Sequence, residues 1–576
     1  MENKKVKIIL NGKEVECLEG QTVIQAAAAN NVEIPSLCDH PDFPHKANCR
    51  VCAVEISLSG TGKVAKLSTS CSTPVKEGMV VNTDTDRVRR ARNLNLELLY
   101  AEHIEKCATC VWRLNCKLLK YASDYKLLKS TFEERKCERK TYKFENAVEI
   151  DGTQCIDCRN CIDACSLLQN INYLEIKGKG MNQEIVPTKD KDIGCILCGQ
   201  CAVHCPVSAA QEQTHWQEVE AVIAENKKVV VVQFAPSIRV SIGEEFGLPY
   251  GEIVTGQIVE ALKMLGFDYV FDVSFAADVT TLVEADELIE RIKNGGKMPM
   301  LTSCCPSWVR YVEFYRPDLI PNLTTSRSPQ IHGGGIIKTY WAEKVKIDPK
   351  DIVVVSIMPC TSKKYEASRP ELKINGHNPV DYVLTTRELA FLIKKNNIDF
   401  TNLKGQDADE PLGEYTGAGV IYGGSGGVME SALRTAQARL CGEDSKLCKT
   451  RLEFMDTRGM DGLKEAVVDM GGKKIRVAVV NGIKHVREFL MGIDNYDYVE
   501  IMACPGGCIG GGGEPIPTTA EIRRKRTEAL FKMDKNKGIR EAHKNESVKK
   551  AMKWLEAKGE KIEHQVLHTK YSKINK

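Results

Sequence analysis

Two matching runs of cysteine, Cys155-x2-Cys158-x2-Cys161-x3-Cys165 and Cys195-x2-Cys198-x2-Cys201-x3-Cys205-Pro206, constrain this chain more than anything else in it. This internal repeat is the strongest signal in the chain on spacing alone. The chain holds 24 cysteines in 576 residues. In a small secreted domain such usage would mean a disulfide framework. Grouped as Cys-x2-Cys units in a long chain, it argues instead for metal sites in a reducing compartment. Spacing alone leaves two zinc ribbons open as the alternative for this repeat. Length suggests about four domains, and a net charge of +3 sets up no global field toward nucleic acid or membrane. The lysines near Met1 are followed by no apolar h-region. No apolar run approaches the ~18 residues of a membrane span. The expectation is a soluble, cytoplasmic protein.

The repeat resembles the two-cluster ferredoxins, in which each fourth cysteine ligates the other cubane. The resemblance pairs Cys155, Cys158 and Cys161 with Cys205, and Cys195, Cys198 and Cys201 with Cys165, within a domain spanning 144–215. Ser166 stands where that pattern usually has proline.

Residues 1–83 open with Val6 to Leu10 and Val15 to Leu18 around Asn11-Gly12, a two-residue hairpin signal. A short Ala-rich helix (Val23 to Ala29) and the run Cys38-x10-Cys49-x2-Cys52-x18-Cys71 follow. This resembles a plant-type [2Fe–2S] ferredoxin with a lengthened first interval, as at the amino terminus of hydrogenases and of the large iron–sulfur subunit of respiratory complex I. Four separately buried cysteines are the plainer reading. Cys17 falls outside the pattern and is read as packing. Residues 84–143 look helical near Leu94 to Leu99 and carry His103-x3-Cys107-x2-Cys110-x5-Cys116. One imidazole and three thiolates suit tetrahedral zinc. The resemblance to the same two families implies a [4Fe–4S] cluster, whose neutral imidazole ligand raises its potential. Cys137 receives no role.

In 216–576, apolar runs at Val229 to Val232, Val353 to Ile357, Ile475 to Val480 and Tyr498 to Met502 alternate with helical stretches, which predicts sheets covered on both faces. Three strand-like segments, the first being Met298 to Thr302, lead into Thr302-Ser303-Cys304-Cys305-Pro306-Ser307-Trp308, Met358-Pro359-Cys360 with Lys363 beyond, and Ala503-Cys504-Pro505-Gly506-Gly507-Cys508. Strand ends of α/β sheets are where ligands bind, so these cysteines should converge, with Pro306 opening a helix. The three segments resemble, in order and interval, the signature motifs of the [FeFe]-hydrogenases.

That resemblance covers nearly the whole chain. It implies a multidomain α/β protein: a β-grasp ferredoxin domain, a small helical domain with a histidine-ligated [4Fe–4S] cluster, a two-cluster ferredoxin domain, and a large two-lobed α/β catalytic domain. It implies reversible oxidation of dihydrogen and reduction of protons at an H-cluster, a [4Fe–4S] cubane joined to a di-iron unit bearing CO, cyanide and azadithiolate. One [2Fe–2S] and three accessory [4Fe–4S] clusters would relay electrons. By motif, Cys305, Cys360, Cys504 and Cys508 hold the cubane and Cys508 bridges to the di-iron unit. Pro236, Ser237, Gln330, Met358, Lys363 and Met502 line the pocket, with Lys363 donating to a cyanide. Protons leave through Cys304, Glu284, Thr324, Glu287 and Arg291. Glu284, Glu287 and Arg291 share a face of a helix expected over Val279 to Lys293, whose plain reading is an exposed salt-bridge stripe. Thr324 stands where the family commonly has serine, and Glu514 where it often has glutamine.

Implied partners are H2, protons, ferredoxin, and flavin-bearing NADH-oxidising iron–sulfur subunits of an electron-bifurcating hetero-oligomer. A stand-alone ferredoxin-dependent hydrogenase, a Nar-type cluster scaffold without di-iron centre and a hydrogen sensor are the alternatives. The glycine runs Gly417 to Gly427 and Gly510 to Gly513 fit no phosphate-loop spacing and are read as tight turns near the cofactor. Arg523-Arg524-Lys525-Arg526 reads as a solvated helix face rather than a nucleic-acid patch. Cys441 and Cys448 are read as structural.

Overall fold

The computed structural model describes residues 4–59, 64–101, 103, 106–108, 110–127, 132, 138–441, 453–454, 458, 462–470 and 472–574. Cys137 and Cys448 lie outside the described residues.

Strands β1 (Lys5–Leu10) and β2 (Lys13–Leu18) form the expected hairpin. Asn11 (φ 49°) and Gly12 (φ 81°) both occupy the left-handed region, as a type I′ turn requires. With β3 (Ala53–Leu58), β4 (Lys66–Thr69) and β5 (Met79–Asn82) they make a five-stranded sheet in the order β2-β1-β5-β3-β4. The helix Val23–Ala29 begins at a capping box of Thr22 and Gln25 and buries Val23, Ala26 and Ala27. Helices Asp86–Ala101 and Lys117–Asp124 follow. Next come β6 (Thr141–Phe144), β7 (Val148–Asp151), a small hairpin of β8 (Leu174–Lys177) and β9 (Glu184–Pro187), and β10 (Ala210–Glu212), with β10-β7-β6 forming a sheet.

The remainder is built on two four-stranded sheets. The first, β12-β11-β14-β15, is parallel throughout and comprises β11 (Val229–Phe234), β12 (Tyr269–Asp272), β14 (Ile352–Met358) and β15 (Tyr382–Thr385). Every residue of β14 is buried, because helices cover both faces. The second sheet is β13-β18-β17-β16, from β13 (Met300–Leu301), β16 (Leu463–Met470), β17 (Lys473–Asn481) and β18 (Tyr498–Met502). Its first three strands are parallel and β16 is antiparallel at the edge. The strand anticipated at Met298 to Thr302 is therefore only two residues long.

A long helix, Val273–Asn294, starts directly from β12, with Asp272 capping it by accepting from the Ser274 amide at 2.8 Å. It begins six residues before the anticipated Val279, since the cap belongs to the strand end. Asp272 in turn holds the buried Arg239 at 2.8 Å.

Helices Ala520–Asn536, Glu546–Lys558 and Glu560–Leu567 close the chain back over the lobes. The segment after them runs alongside earlier elements: the Thr569 amide donates to the Thr325 carbonyl (2.8 Å) and the Ile574 amide to that of Glu313 (3.0 Å). The basic run on the first of these helices is only half solvated, correcting the sequence expectation. Arg526 is fully buried, pairs with Glu244 and donates to the Ile509 carbonyl at 2.7 Å. Arg523, one turn away on the same inward face, pairs with Asp42 at 3.1 Å. Arg524 and Lys525 face out, paired with Glu528 and Glu521.

Candidate metal centres and proton path

The carboxyl ends of β11, β14, β13 and β18 meet at one cavity. Ala235-Pro236-Ser237 continues β11, Pro359-Cys360 continues β14, Cys304 and Cys305 follow β13, and Ala503-Cys504 follows β18. Cys508 arrives on the glycine-rich loop beyond. Cys305 precedes the helix Pro306–Tyr315, whose first residue is the proline anticipated there. Its sulfur accepts from the Ala503 amide at 3.5 Å. Burial raises the thiols of Cys305, Cys504 and Cys508 and pushes Cys360 up to about 12; neighbouring cysteines add to the rise at Cys360, Cys504 and Cys508, and Lys363 opposes it at Cys305, Cys360 and Cys508. Bare, these groups hold their protons. Only a cation between them makes the cluster of sulfurs a stable set of thiolates.

The cavity wall is almost wholly apolar apart from a few placed groups. Burial works against the charge of Lys363, yet Glu366 at 2.8 Å prevails and keeps the ammonium. The same ammonium donates to the Cys304 carbonyl at 3.0 Å. Gln330 donates its amide to the Lys363 carbonyl (3.1 Å) and to Glu366 (3.2 Å), while its Oε1 has no partner. Ser237 Oγ is likewise buried and unpartnered. Gly507 has φ +90°, and a Cβ there would stand 2.7 Å from the Ser425 amide nitrogen. Four sulfurs, a shielded ammonium, two waiting polar atoms and a backbone with no room for side chains fit an anionic iron–sulfur cubane carrying a further small-ligand metal unit.

Cys304 faces the cavity but packs with Ala277, Tyr422, Val428 and Met502, on the side of the long helix. Burial, and then the carboxyl of Glu284, raise its thiol well above the usual range. Glu284 is fully buried and is pushed up to about 8 by that burial. Its Oε2 accepts from Tyr498 Oη at 3.1 Å, and its Oε1 has no partner. One turn on, Glu287 Oε2 accepts from Thr324 Oγ1 (2.7 Å) and from the amide and hydroxyl of Thr325 (2.9 and 3.0 Å), and Glu287 pairs with Arg291. The inner end of this face is thus no exposed salt-bridge stripe. Cys304 and Glu284, and Glu284 and Thr324, are not directly bonded to each other. Thr325 and His568, which the sequence did not single out, sit at the outer end, 2.9 Å apart, so the carboxy-terminal segment roofs it.

The other cysteine groups are also brought together. Cys52 and Cys71 lie 3.4 Å apart and the Cys49 amide reaches Cys38 Sγ at 3.5 Å. The hydrogen bond from Cys38 pulls Cys49 down to about 6. His103 is buried with Nδ1 3.0 Å from the Gln154 carbonyl, which places the ring proton on Nδ1 and the lone pair on Nε2. Burial raises Cys107, Cys110 (to about 11) and Cys116, and the three act on one another's charges. In the repeat, Cys158 feels Cys205 and Cys155, whereas Cys201 feels Cys195 and Cys165. Cys17 is buried in the core of the first sheet.

Both amino-terminal sites abut the same group. Lys46 and Asn48, in the Cys38 to Cys52 loop, bond to Asn160 Oδ1 (3.0 Å) and the Cys158 carbonyl (3.4 Å). His103 leans on the residue before Cys155. The second run of the repeat touches the cavity loops instead: Thr361 and Ser362 donate to the Leu197 carbonyl (2.9 and 2.7 Å), and Gln200 to that of Gly510 (2.9 Å). A junction of His40, Asp42 and His204, also unforeseen, links these bodies. Asp42 is taken by Arg523, and His40 Nδ1 accepts from the Asp42 amide at 3.2 Å.

A family model described as the iron-only hydrogenase large subunit, C-terminal domain, matches residues 228–512. Further models match a 2Fe-2S cluster binding domain at 3–86, an NADH-ubiquinone oxidoreductase-G iron-sulfur binding region at 92–131, and an iron hydrogenase small subunit at 520–573. The chain is 39% identical to the NADP-reducing hydrogenase subunit HndD of Solidesulfovibrio fructosivorans, covering 98% of both chains. It is also 39% identical to iron hydrogenase 1 of Clostridium pasteurianum, covering 98% of this chain and 100% of that one. A cytosolic iron-sulfur assembly component of Rattus norvegicus is 27% identical over 70% of this chain and 88% of its own length. Among solved structures, an [FeFe]-hydrogenase of Chlamydomonas reinhardtii superposes with a TM-score of 0.56 at 37% identity, covering 62% of this chain and 99% of that chain.

Proposed function

Because this chain belongs to the [FeFe]-hydrogenases, we propose that its cavity holds an H-cluster and that it interconverts dihydrogen with protons and electrons as the catalytic subunit of a multi-subunit NAD(P)- and ferredoxin-linked, electron-bifurcating enzyme. The observation that carries the site reading is the convergence of Cys305, Cys360, Cys504 and Cys508 on one apolar cavity beside a spare thiol, Cys304. Those four would ligate the cubane, with Cys508 bridging. When bound, the cofactor supplies the redox metal and the base at which dihydrogen is parted into two protons and two electrons.

The protein's own groups do the rest. Lys363 offers the cavity a donor of fixed charge, held by Glu366. The apolar wall around Ala235, Met358 and Met502 excludes water, which strengthens every electrostatic contact inside. Cys304 and Glu284 are both protonated at rest because burial disfavours their charged forms, so a proton would be taken at Cys304 Sγ as the thiol's own proton moves toward Glu284 and Glu284 releases its proton outward. Rotation of the Glu284 carboxyl, or one water, would bridge to Thr324, and Glu287 with Arg291 would deliver the proton outward.

Electrons would leave by the cubane of Cys195, Cys198, Cys201 and Cys165, which adjoins the catalytic loops, then by that of Cys155, Cys158, Cys161 and Cys205. There the path would fork toward the [2Fe–2S] site of Cys38, Cys49, Cys52 and Cys71 and the [4Fe–4S] site of His103, Cys107, Cys110 and Cys116. Two branches suit an enzyme that serves two acceptors, and the relative named as an NADP-reducing hydrogenase subunit supports the assembly. A stand-alone ferredoxin-dependent hydrogenase is the second reading, favoured by equal identity to iron hydrogenase 1. Co-purification with flavin-bearing subunits decides between them. Retention of Cys304 and Glu284 sets the assembly-scaffold alternative aside, since a scaffold needs only the cubane ligands. The test of the site is infrared spectroscopy for CO and cyanide bands on protein that evolves hydrogen. Bands absent from active protein would sink the cofactor assignment.

A further inference from the structure

Arg291 closes the proposed proton face, yet it cannot itself hand a proton to solvent. A guanidinium keeps its charge at any pH a folded protein meets. Its donors are spent on the carbonyls of Lys297 (2.9 Å), Asn322 (3.0 Å) and Leu323 (2.8 Å) and on Glu287. Glu287 and Arg291 are also mostly covered, with 13% and 11% of their side chains exposed. Beyond them a hydrogen-bonded chain continues to the carboxy-terminal segment. Thr325 Oγ1 donates to Glu287 Oε2 at 3.0 Å and lies 2.9 Å from His568 Nδ1. A threonine hydroxyl has one hydrogen, so with it on Glu287 the oxygen accepts from Nδ1–H. His568 is partly exposed. The exposed His564 lies one helical turn before it, their ring centroids 5.4 Å apart.

We infer that His568 is the group through which the proton path exchanges protons with solvent, with Thr325 as the link and Arg291 as a fixed counter-charge to Glu287. The inference rests on the reading of this face as the proton path. Outward transfer starts from the tautomer with hydrogen on Nε2. Glu287 passes a proton from Oε2 to Thr325 Oγ1, Thr325 gives its own hydrogen to Nδ1, and the imidazolium releases Nε2–H to water. One proton enters the chain and one leaves it. Rotation of the hydroxyl and tautomer exchange of the ring restore the starting state, and uptake runs the same steps in reverse. Neither a guanidinium nor a hydroxyl changes charge near neutral pH, whereas an imidazole does.

Backbone contacts, not the ring, hold this segment in place. Arg327 Nε donates to the His568 carbonyl (2.8 Å), the Thr569 amide donates to the Thr325 carbonyl (2.8 Å), and Ser326 and His568 form an antiparallel bridge. Charged and titratable groups face the ring from each neighbouring element. Burial draws the imidazole below its usual 6.5, His564 on its own helix and Arg327 on the adjoining loop add to the fall, and Glu287 on the long helix opposes it. His332, from the helix Pro329–Ile336, lies behind with Nε2 3.0 Å from the Leu567 carbonyl. Burial lowers it to about 3, so it stays neutral and does not compete for the proton.

The test is hydrogen evolution by cofactor-loaded, full-length protein with an artificial donor, in dilute buffer and again with free imidazole added. His568→Gln keeps an N–H for Thr325 and the backbone bonds of the segment but cannot take up and release a proton. In dilute buffer its turnover should fall by about 10²-fold, the low end for a general acid–base group. Imidazole should recover most of that loss while leaving the wild type unchanged. The wild-type pH profile should carry an inflection that His568→Gln lacks. Full turnover of His568→Gln in dilute buffer overturns the inference, and so does a loss that imidazole does not mend, which would mark a structural role. Glu284→Gln keeps the two readings apart. Silent with and without imidazole, it leaves the path standing whatever His568 does, whereas turnover retained in Glu284→Gln overturns the path itself.

Discussion

Replacing Glu284 with glutamine should separate the proton path from the stability of the fold, because the two respond with opposite sign. Glu284 is raised from 4.5 to about 8 chiefly by burial. A carboxyl raised this way keeps its proton in the folded state where the unfolded chain has lost it. Its contribution is therefore fully favourable below about pH 4.5 and is lost progressively as pH climbs to about 8. At about 1.4 kcal/mol for each pH unit between those limits, the loss approaches about 5 kcal/mol as an upper bound. Glutamine has the shape of the protonated acid and nothing to ionise, so Glu284→Gln should match the wild type in acid and exceed it above about pH 8. Its amide cannot pass a proton, however, and hydrogen evolution should fall by about 10² to 10⁴. The assays are the apparent melting midpoint against pH and hydrogen evolution with an artificial donor, at iron content matched to wild type. Near-normal turnover would refute the path. Parallel alkaline melting of variant and wild type would refute the argument from burial.

Cys304→Ala should keep cluster iron and the CO and cyanide bands yet lose turnover in both directions by at least about 10⁴, the upper end for a general acid–base group. Cys304→Asp should recover part of it with an altered pH profile, and loss of iron instead would mark Cys304 as a ligand. His103→Ala should alter one cubane's paramagnetic signal and partner-dependent electron transfer while leaving the cavity's bands alone; an unchanged paramagnetic spectrum would mean zinc. Removing residues 1 to 143 should spare hydrogen evolution with an artificial donor and weaken exchange with the natural partner. Loss of the cavity's bands in that truncation would contradict a modular chain. Arg526→Ala should destabilise the catalytic region by about 3–5 kcal/mol by stranding buried Glu244, read as a lowered melting midpoint. A change under about 1 kcal/mol would show that the pair is hydrated.

What was legible in the sequence is what local spacing encodes. Asn11-Gly12 demanded its turn, Pro306 its helix start, and β14 and β18 announced themselves by short, mainly apolar runs. The three cysteine segments could be assigned to strand ends because that rule of α/β sheets needs no tertiary knowledge. Pairings across the chain were not legible. Nothing near Arg526 tells that Glu244, far upstream, awaits it on the inward face, so its charge read as solvent-facing. Thr325 and His568 are similarly distant in sequence and meet only because the final segment returns across the lobes. Glu514 was visible as an odd residue, but Ser241 and Thr386, which donate to its carboxylate at 2.6 and 3.0 Å, are brought to it only by the fold.

The returning segment also orders the protein's birth. A ribosome adds about 5–20 residues each second, so the amino-terminal cysteine sites emerge tens of seconds before the residues that bond to Thr325 and Glu313. Contacts between points so far apart along the chain are slow to form, since the loop they close must first lose its freedom. The roof over Glu287 is therefore the part of the catalytic region that must wait longest, since the stretch of chain that makes it is synthesised last.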